Sequence, residues 1–504
     1  MKVYLAGFNV DTAVLKELEG TAAKRQDLTP EVLSAAYARI SRDPRPINEI
    51  RTEARREVER SRKSNQTIIF KMGHHSVAEH AVFNFDILGV SRFAMEEAEK
   101  FRLCSYTEKS QRYITLDKDF VIPDEIKGTP HEKRFLKMVE LQNKAYFRLF
   151  EKLKEHVFKK HAVLAADPKK HNLLEGWAKE DARYITSLAT ESQVGVTVNA
   201  RILELMLRRF ASHPLAEVKN LGNMIYEQVG PIAPSIVIFH DANERDLKTY
   251  PKLREAAKGF IKRCGKPSSG KKTKEVELVE FPKDADRLVL SALLHTSDNL
   301  SYAECKKIAG KISKEQGKKL FKACWQSMQF YDSMLREFEY VNFTFNIVLS
   351  AACFGQLKRH RMSTIITQDY NPDLGVTVPQ SIKETGMDKY FREIVDKTNE
   401  VYSAIKKEIP LAAPYILTNA HRRRVLMRLN LRELYHISRL REDAHAQWDI
   451  QNVSRLMSNE VKKVAPLSTG LLCGKDRYND AYQNVFGCLP KITQAALPGA
   501  RKIK

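Results

Sequence analysis

The sequence predicts an α+β protein built from one unit repeated head to tail, a pseudo-dimer within a single chain. Three observations carry that reading. At 504 residues the chain is too long for one ordinary hydrophobic core. The stretch "GKPSSGKKTKE" at 265–275 has the Gly, Ser, Pro and Lys of a linker and falls near the middle. The segments on either side of it resemble one another, in the same order. The expected organisation is a first repeat over 1–240, a basic linker region over 241–290 and a second repeat over 291–504.

Each element follows from local pattern. "MKVYLAGFNVDTAV" is broken by Asn9 and Asp11, which suits a first strand and turn better than the core of an export signal. "AVFNFDILGVSR" (81–92) and "VNFTFNIVLSAA" (341–352) alternate apolar and polar residues, as half-buried strands do. An Arg-bearing loop follows each of them: "KFRLCSYTEKSQRY" (100–113) and "QLKRHRMSTIITQDY" (356–370). "HEKRFLKMVELQNKAYFRLFEKLKEHVF" (131–158) reads as a long amphipathic helix whose stripe of Phe135, Met138, Leu141, Tyr146 and Leu149 is core. "TVNARILELMLRRFASHPLAE" (197–217) and "RLNLRELYHISRLREDAHAQWD" (428–449) share helical spacing, an early Asn-x-Arg and a late Ser- or Ala-His. "HRRRVLMR" (421–428) reads as a charged helix face, and His213 as a core histidine. His445 and Trp448 are open to a core reading as well.

Composition narrows the function. An apolar fraction of 43% is that of a folded soluble protein. Lys plus Arg number 84 against 62 Asp plus Glu, and a net charge of +22 suits polyanions, either nucleic acid or phosphorylated small molecules. The basic residues are scattered rather than gathered in one arm, which makes nucleic acid the less expected partner. No apolar run reaches the length of a membrane span. The seven cysteines form no C-x-x-C pair, which argues against a zinc ribbon and a disulfide framework and makes a reducing cytoplasm the expected location. "HHSVAEH" (74–80) sets His75 and Glu79 one helical turn apart, but without a partner motif no metal site is expected.

Together "HHSVAEH", the strand "FNFDI" and the loops resemble the flavin-dependent thymidylate synthase family. That family's loop reads Arg-His-Arg-x-x-Ser-x-Asn-Glu-Gln-Ser-x-Arg-Tyr. A helix beginning Asn-Ala-Arg and a segment ending Arg-x-x-x-His-Ala-Gln-Trp follow it. Here the second half supplies Arg359, His360 and Arg361, then Arg441, His445, Ala446, Gln447 and Trp448. The first half supplies Ser105, Glu108, Ser110, Arg112 and Tyr113, then Asn199, Ala200 and Arg201. The resemblance implies conversion of dUMP to dTMP, with methylenetetrahydrofolate giving the carbon and NADPH reducing FAD. It also implies that no cysteine nucleophile is needed, so Cys104 and Cys353 read as ordinary small residues. The required groups are few: Arg forks for phosphate, donors around the flavin ring, and a fixed cation for charge developing on the uracil imide.

In the family each nucleotide site is shared between two chains of a homotetramer, and the resemblance assigns the two sets of groups to different halves. Gln356 and Arg359, with Arg441 as the activating cation, belong to the second half. Glu108, Ser110, Arg112 and Arg183, which precedes Asn199 by sixteen residues, belong to the first. The complementary positions depart from the pattern: Glu97, Lys100 and Phe101 in the first half, and Thr367, Asp369 and Asn371 in the second. Flavin contacts carried over from the family fall on His74, Ser76, Glu108, Arg359, His360 and Arg361, and on Asn199 and Arg201. Asn430, Arg432 and His436 complete that set, while Leu205 stands where the second half has His436. "LREFEY" (335–340) replaces the His-x-Ser-x-x-Glu-His pattern in the second half, which implies a poorer flavin pocket on one side. Lys109 and Thr107 replace the family's Gln and Asn, and Glu442 and Asp443 follow Arg441 directly. The expected assembly is a homodimer imitating the tetramer. Two other readings stay open: a family enzyme with a different pyrimidine or carbon donor, and a non-catalytic basic protein that binds nucleotides or nucleic acid.

Overall fold

The computed structural model describes residues 1–19, 28–40, 42–110, 119–265 and 274–493. Its first repeat runs β1 (Lys2–Phe8), β2 (Val82–Ser91), α1 (Arg92–Ala98), β3 (Cys104–Glu108), α2 (Glu132–Lys160), α3 (His171–Ala182), β4 (Glu191–Asn199), α4 (Ala200–Ala211), α5 (Ala216–Val229) and α6 (Glu244–Cys264). The second runs β5 (Val276–Glu280), β6 (Asn342–Ser350), α7 (Ala351–Leu357), β7 (Thr364–Thr367), α8 (Asp388–Glu408), β8 (Arg422–Asn430), α9 (Leu431–Arg441) and α10 (Trp448–Val464). Each repeat forms an antiparallel four-stranded sheet of the same topology, β1-β2-β4-β3 and β5-β6-β8-β7. The fold is the tandem α+β duplication that the paired strands imply.

The same local devices recur in both repeats. Ser91 ends β2 and caps α1, accepting from Ala94 N at 3.0 Å, while its hydroxyl donates to Glu217 at 2.7 Å. Ser350 does the same for α7, accepting from Cys353 N at 3.0 Å and donating to Asp449 at 2.6 Å. Asn199 and Asn430 each end a central strand and cap the next helix. β2 and β6 differ at Gly89, at the register shift of β2, where φ is +70°. A bulge residue in that conformation favours glycine, and β6 runs without one.

The chain divides into two compact units that cut across the repeats. One comprises 1–269 and 378–419; the other comprises 270–377 and 420–504. In the first, α8 of the second repeat packs beside α2, where Gln142 donates to Thr398 and to the Ile416 carbonyl at 3.0 and 2.9 Å. Phe135, Met138, Tyr146 and Leu149 are buried as the stripe predicts, with Leu141 half-buried. In the second, Phe343, Phe345 and Ile347 of β6 meet Val425, Met427 and Leu429 of β8 beneath α9 and α10. The segment 241–290 holds α6 and β5, the edge strand of the second sheet; 266–273 lie outside the described residues.

"HRRRVLMR" is corrected: it is strand, not a helix face. Its period is two, with Arg423, Val425 and Met427 buried and Arg424, Leu426 and Arg428 turned the other way. Arg423 lies between the rings of Phe354 and Tyr370, 4.8 and 4.3 Å from their centres. His213 is corrected too, being half-buried at a helix end and 3.5 Å from Glu97. His445 is exposed rather than core. No helix among the described residues is long and apolar enough to cross a membrane. Among the described residues no group of His, Cys, Asp and Glu could hold a metal ion.

Candidate functional site

In the second unit, three of the sequence-assigned residues, Gln356, His360 and Arg441, meet where α7 and α9 end. Arg441, the last residue of α9, donates from Nε to His360 Nε2 at 2.9 Å and from Nη2 to the Gln356 carbonyl at 3.2 Å. Because that imidazole nitrogen accepts, its proton lies on Nδ1, 3.6 Å from Glu433 Oε1. Burial, with only 4% of His360 exposed, pushes the imidazole well below its ordinary pKa; the Arg441 and His436 charges push the same way. His360 is therefore neutral. The Gln356 side chain donates to Gln447 at 3.3 Å, and Arg359 Nε donates to the Gly355 carbonyl at 3.2 Å. Arg361 is exposed.

Beside this cluster lies a cleft of about 460 Å³, to which Asn430, Arg432 and His436 contribute together with Tyr331 and Met362. Arg432 is held by the Met334 carbonyl and by Glu339, both at 2.6 Å. Burial pushes the Glu433 carboxyl up, against the pull of His436 and Arg432. An aromatic and thioether wall, a guanidinium, an imidazole and an amide form a donor set able to hold a flavin nucleotide.

The first unit places its residues differently. Glu108 closes β3 and is buried, accepting from Arg92 at 2.8 Å and from Ser192 at 3.1 Å. Arg183 is buried in a 3-10 turn. The second repeat has Pro414 sixteen residues before Asn430, at the equivalent place. Ser110 is half-buried at the edge of the described residues, and Arg112 and Tyr113 lie outside them. His74 and Ser76 are exposed at a 3-10 turn, and Arg201 pairs with Glu79 of that turn at 2.5 Å. Arg432 and Glu339 repeat that ion pair in the second unit. Sequence reasoning missed Arg92 and Glu433, and it named Gln447 within the resembling segment without giving it a role. Their signal was position: Arg92 follows a capping Ser, Glu433 follows Asn430 by three, and Gln447 caps α10.

The departures in the first repeat form contacts with one another. Lys100 pairs with Glu97 at 2.5 Å, and Phe101 meets Phe210 edge-on with ring centres 5.9 Å apart. Burial pushes the Glu97 carboxyl up, but the His213 imidazole and the Lys100 charge outweigh it and hold it at about 2. A depressed pKa stabilises the fold above the ordinary carboxylate value and ceases to do so as pH falls from 4.5 to about 2. Glu97→Gln is expected to flatten the acid limb of a melting-temperature profile over that window, by about 1–2 kcal/mol of stability. An unchanged acid limb would contradict this account of Glu97.

A family model described as thymidylate synthase complementing protein matches this chain twice, over residues 25–235 and 277–467. A UPF0159 protein of Chlamydia muridarum is 26% identical over 416 residues, 79% of this chain and 78% of its own length. A UPF0159 protein of Thermoplasma acidophilum is 23% identical over 490 residues, 87% and 94% of the two chains. A flavin-dependent thymidylate synthase of Clostridium tetani is 30% identical over 212 residues, 41% of this chain and 80% of that synthase. The synthase is thus similar to a stretch of one repeat's length, and the UPF0159 proteins to most of the chain.

Proposed function

The chain belongs to the family of the thymidylate synthase complementing protein, the flavin-dependent thymidylate synthases, in tandem-duplicated form, and from that premise we propose that it converts dUMP to dTMP. Methylenetetrahydrofolate gives the carbon, and bound FAD, reduced by NADPH, supplies the reducing equivalents. The observation that supports this reading best is the convergence of Gln356, His360 and Arg441 in one cluster. Arg441, oriented by two acceptors, is the cation that stabilises negative charge developing on the pyrimidine imide. Gln356 and Arg359 hold the nucleotide from the second repeat, and Glu108, Ser110, Arg112 and Arg183 from a first repeat, in this chain or a second copy. We take the repeats as 1–240 and 291–504 with 241–290 between them, a segment whose β5 joins the second sheet, and two chains would imitate the family's tetramer. His74, Ser76, Asn199 and Arg201, with Glu108, would contact flavin from the first repeat. Arg359, His360, Arg361, Asn430, Arg432 and His436 would do so from the second.

Purified protein is expected to be yellow and to form dTMP from dUMP, methylenetetrahydrofolate and NADPH. Arg359→Ala and Arg112→Ala, made separately, are each expected to weaken dUMP binding by about tenfold or more, the loss of one charge-assisted contact. If neither variant changes dUMP binding, the division of the nucleotide site between repeats fails. A colourless protein that makes no dTMP, and whose DNA affinity falls steeply with salt, would replace the synthase reading with nucleic-acid binding.

A further inference from the structure

The two repeats answer one structural position with opposite chemistry. Phe101 stands ten residues past the capping Ser91, and His360 ten past the capping Ser350. Phe210 stands eleven residues past the capping Asn199, and Arg441 eleven past Asn430. In each repeat the two positions touch. In the second the contact is the 2.9 Å hydrogen bond from Arg441 to His360; in the first it is the edge-on pair of Phe101 and Phe210. Both members have changed together, so each repeat holds a matched pair.

We infer that His360 is a positioning residue that fixes the guanidinium of Arg441, and that Phe101 and Phe210 are the same contact with its polarity removed. On this view the first repeat keeps the packing of the junction and carries no activating cation there. Three features argue for positioning rather than simple filling. The imidazole is buried and offers a lone pair, so it can serve Arg441 only as an acceptor. Its other nitrogen faces Glu433, whose backbone N–H is held by the capping Asn430 at 2.8 Å, and the hydroxyl of Ser363 donates to the His360 backbone carbonyl at 2.6 Å. The second acceptor for Arg441 is the Gln356 carbonyl, on the same helix that leads into His360. The guanidinium is therefore oriented by two acceptors that lie four residues apart in the chain, an arrangement that lowers the reorganisation needed when charge develops beside it.

The inference rests on the synthase reading for its catalytic consequence but not for the contact itself, and the test separates the two. His360→Phe, Arg441→Phe, the double variant and His360→Gln are compared with wild type by thermal unfolding and by dTMP formation. Each single Phe substitution removes one partner of a buried polar contact and is expected to lower the melting temperature. The double variant, which rebuilds the first repeat's pair, is expected to lose less than the two single losses together, by about 3 °C or more. His360→Phe is expected to lower kcat by about a hundredfold with KM for dUMP changed less than about threefold. His360→Gln, which restores a side-chain acceptor, is expected to recover most of that loss. Additive melting losses, or a His360→Phe enzyme with wild-type kcat, would overturn the inference. A wild-type protein that makes no dTMP would overturn the synthase reading instead, and the unfolding cycle would still decide the contact.

Discussion

Arg441→Ala is expected to lower kcat for dTMP formation by about a hundredfold to a thousandfold, the range for removing a preorganised charge-stabilising donor. The size of the effect follows from how the guanidinium is held. Its Nε and Nη2 are spent on His360 and the Gln356 carbonyl, so the side chain is aimed before any nucleotide arrives. A cation already oriented in a half-buried setting costs little to use when negative charge forms on the imide. Arg441→Lys should recover only a small part, because an ammonium is a point charge on a flexible stem and lacks the rigid fork that holds one N–H on His360 and another on the Gln356 carbonyl. The variants should keep the fold, since Arg441 is the last residue of α9 and the core beneath is made by Leu434 and Ile437. Rates at saturating dUMP, with melting temperature and flavin absorbance measured on the same samples, check the prediction. Unchanged turnover in Arg441→Ala would remove Arg441 from the chemistry.

What the sequence made legible was local. The strands β2 and β6 and the Asn-x-Arg starts of α4 and α9 were readable because each is decided within a few neighbours, but β6 is buried on both faces where its alternation implied one. The Arg-rich start of β8 was misread because charge masked its period, and Arg423 is buried against two aromatic rings and the Gln368 carbonyl, all far along the chain. The placement of α8 beside α2 was not readable at all. An amphipathic stripe states that a face is covered and is silent on which repeat covers it. The site shows the same split. Gln356, Arg359, His360 and Arg441 could be picked out from a resemblance, yet the His360–Arg441 bond and the Phe101–Phe210 contact that replaces it needed coordinates.

The buried pair of Arg92 and Glu108 carries the second large expectation. Glu108→Ala should destabilise the protein by about 3 kcal/mol or more, the cost of stripping one partner from a buried ion pair. The side chains are 8% and 3% exposed, and Ser192 donates to the same carboxylate oxygen that Arg92 does. Solvent therefore cannot take over the role of Glu108, and the guanidinium of Arg92 would lose its carboxylate in a dry setting. Arg92→Met combined with Glu108→Leu should be far milder, because apolar groups of similar size avoid the desolvation that the pair had offset. Chemical denaturation of the two variants measures the difference. The pair also separates two roles for Glu108. If the carboxylate serves only the fold, the double variant should bind dUMP and flavin as wild type does. If it also reaches the ligands, as the family resemblance implies, the double variant should be stable yet weak in binding. A Glu108→Ala protein as stable as wild type would mean that the end of β3 is held by something other than this ion pair.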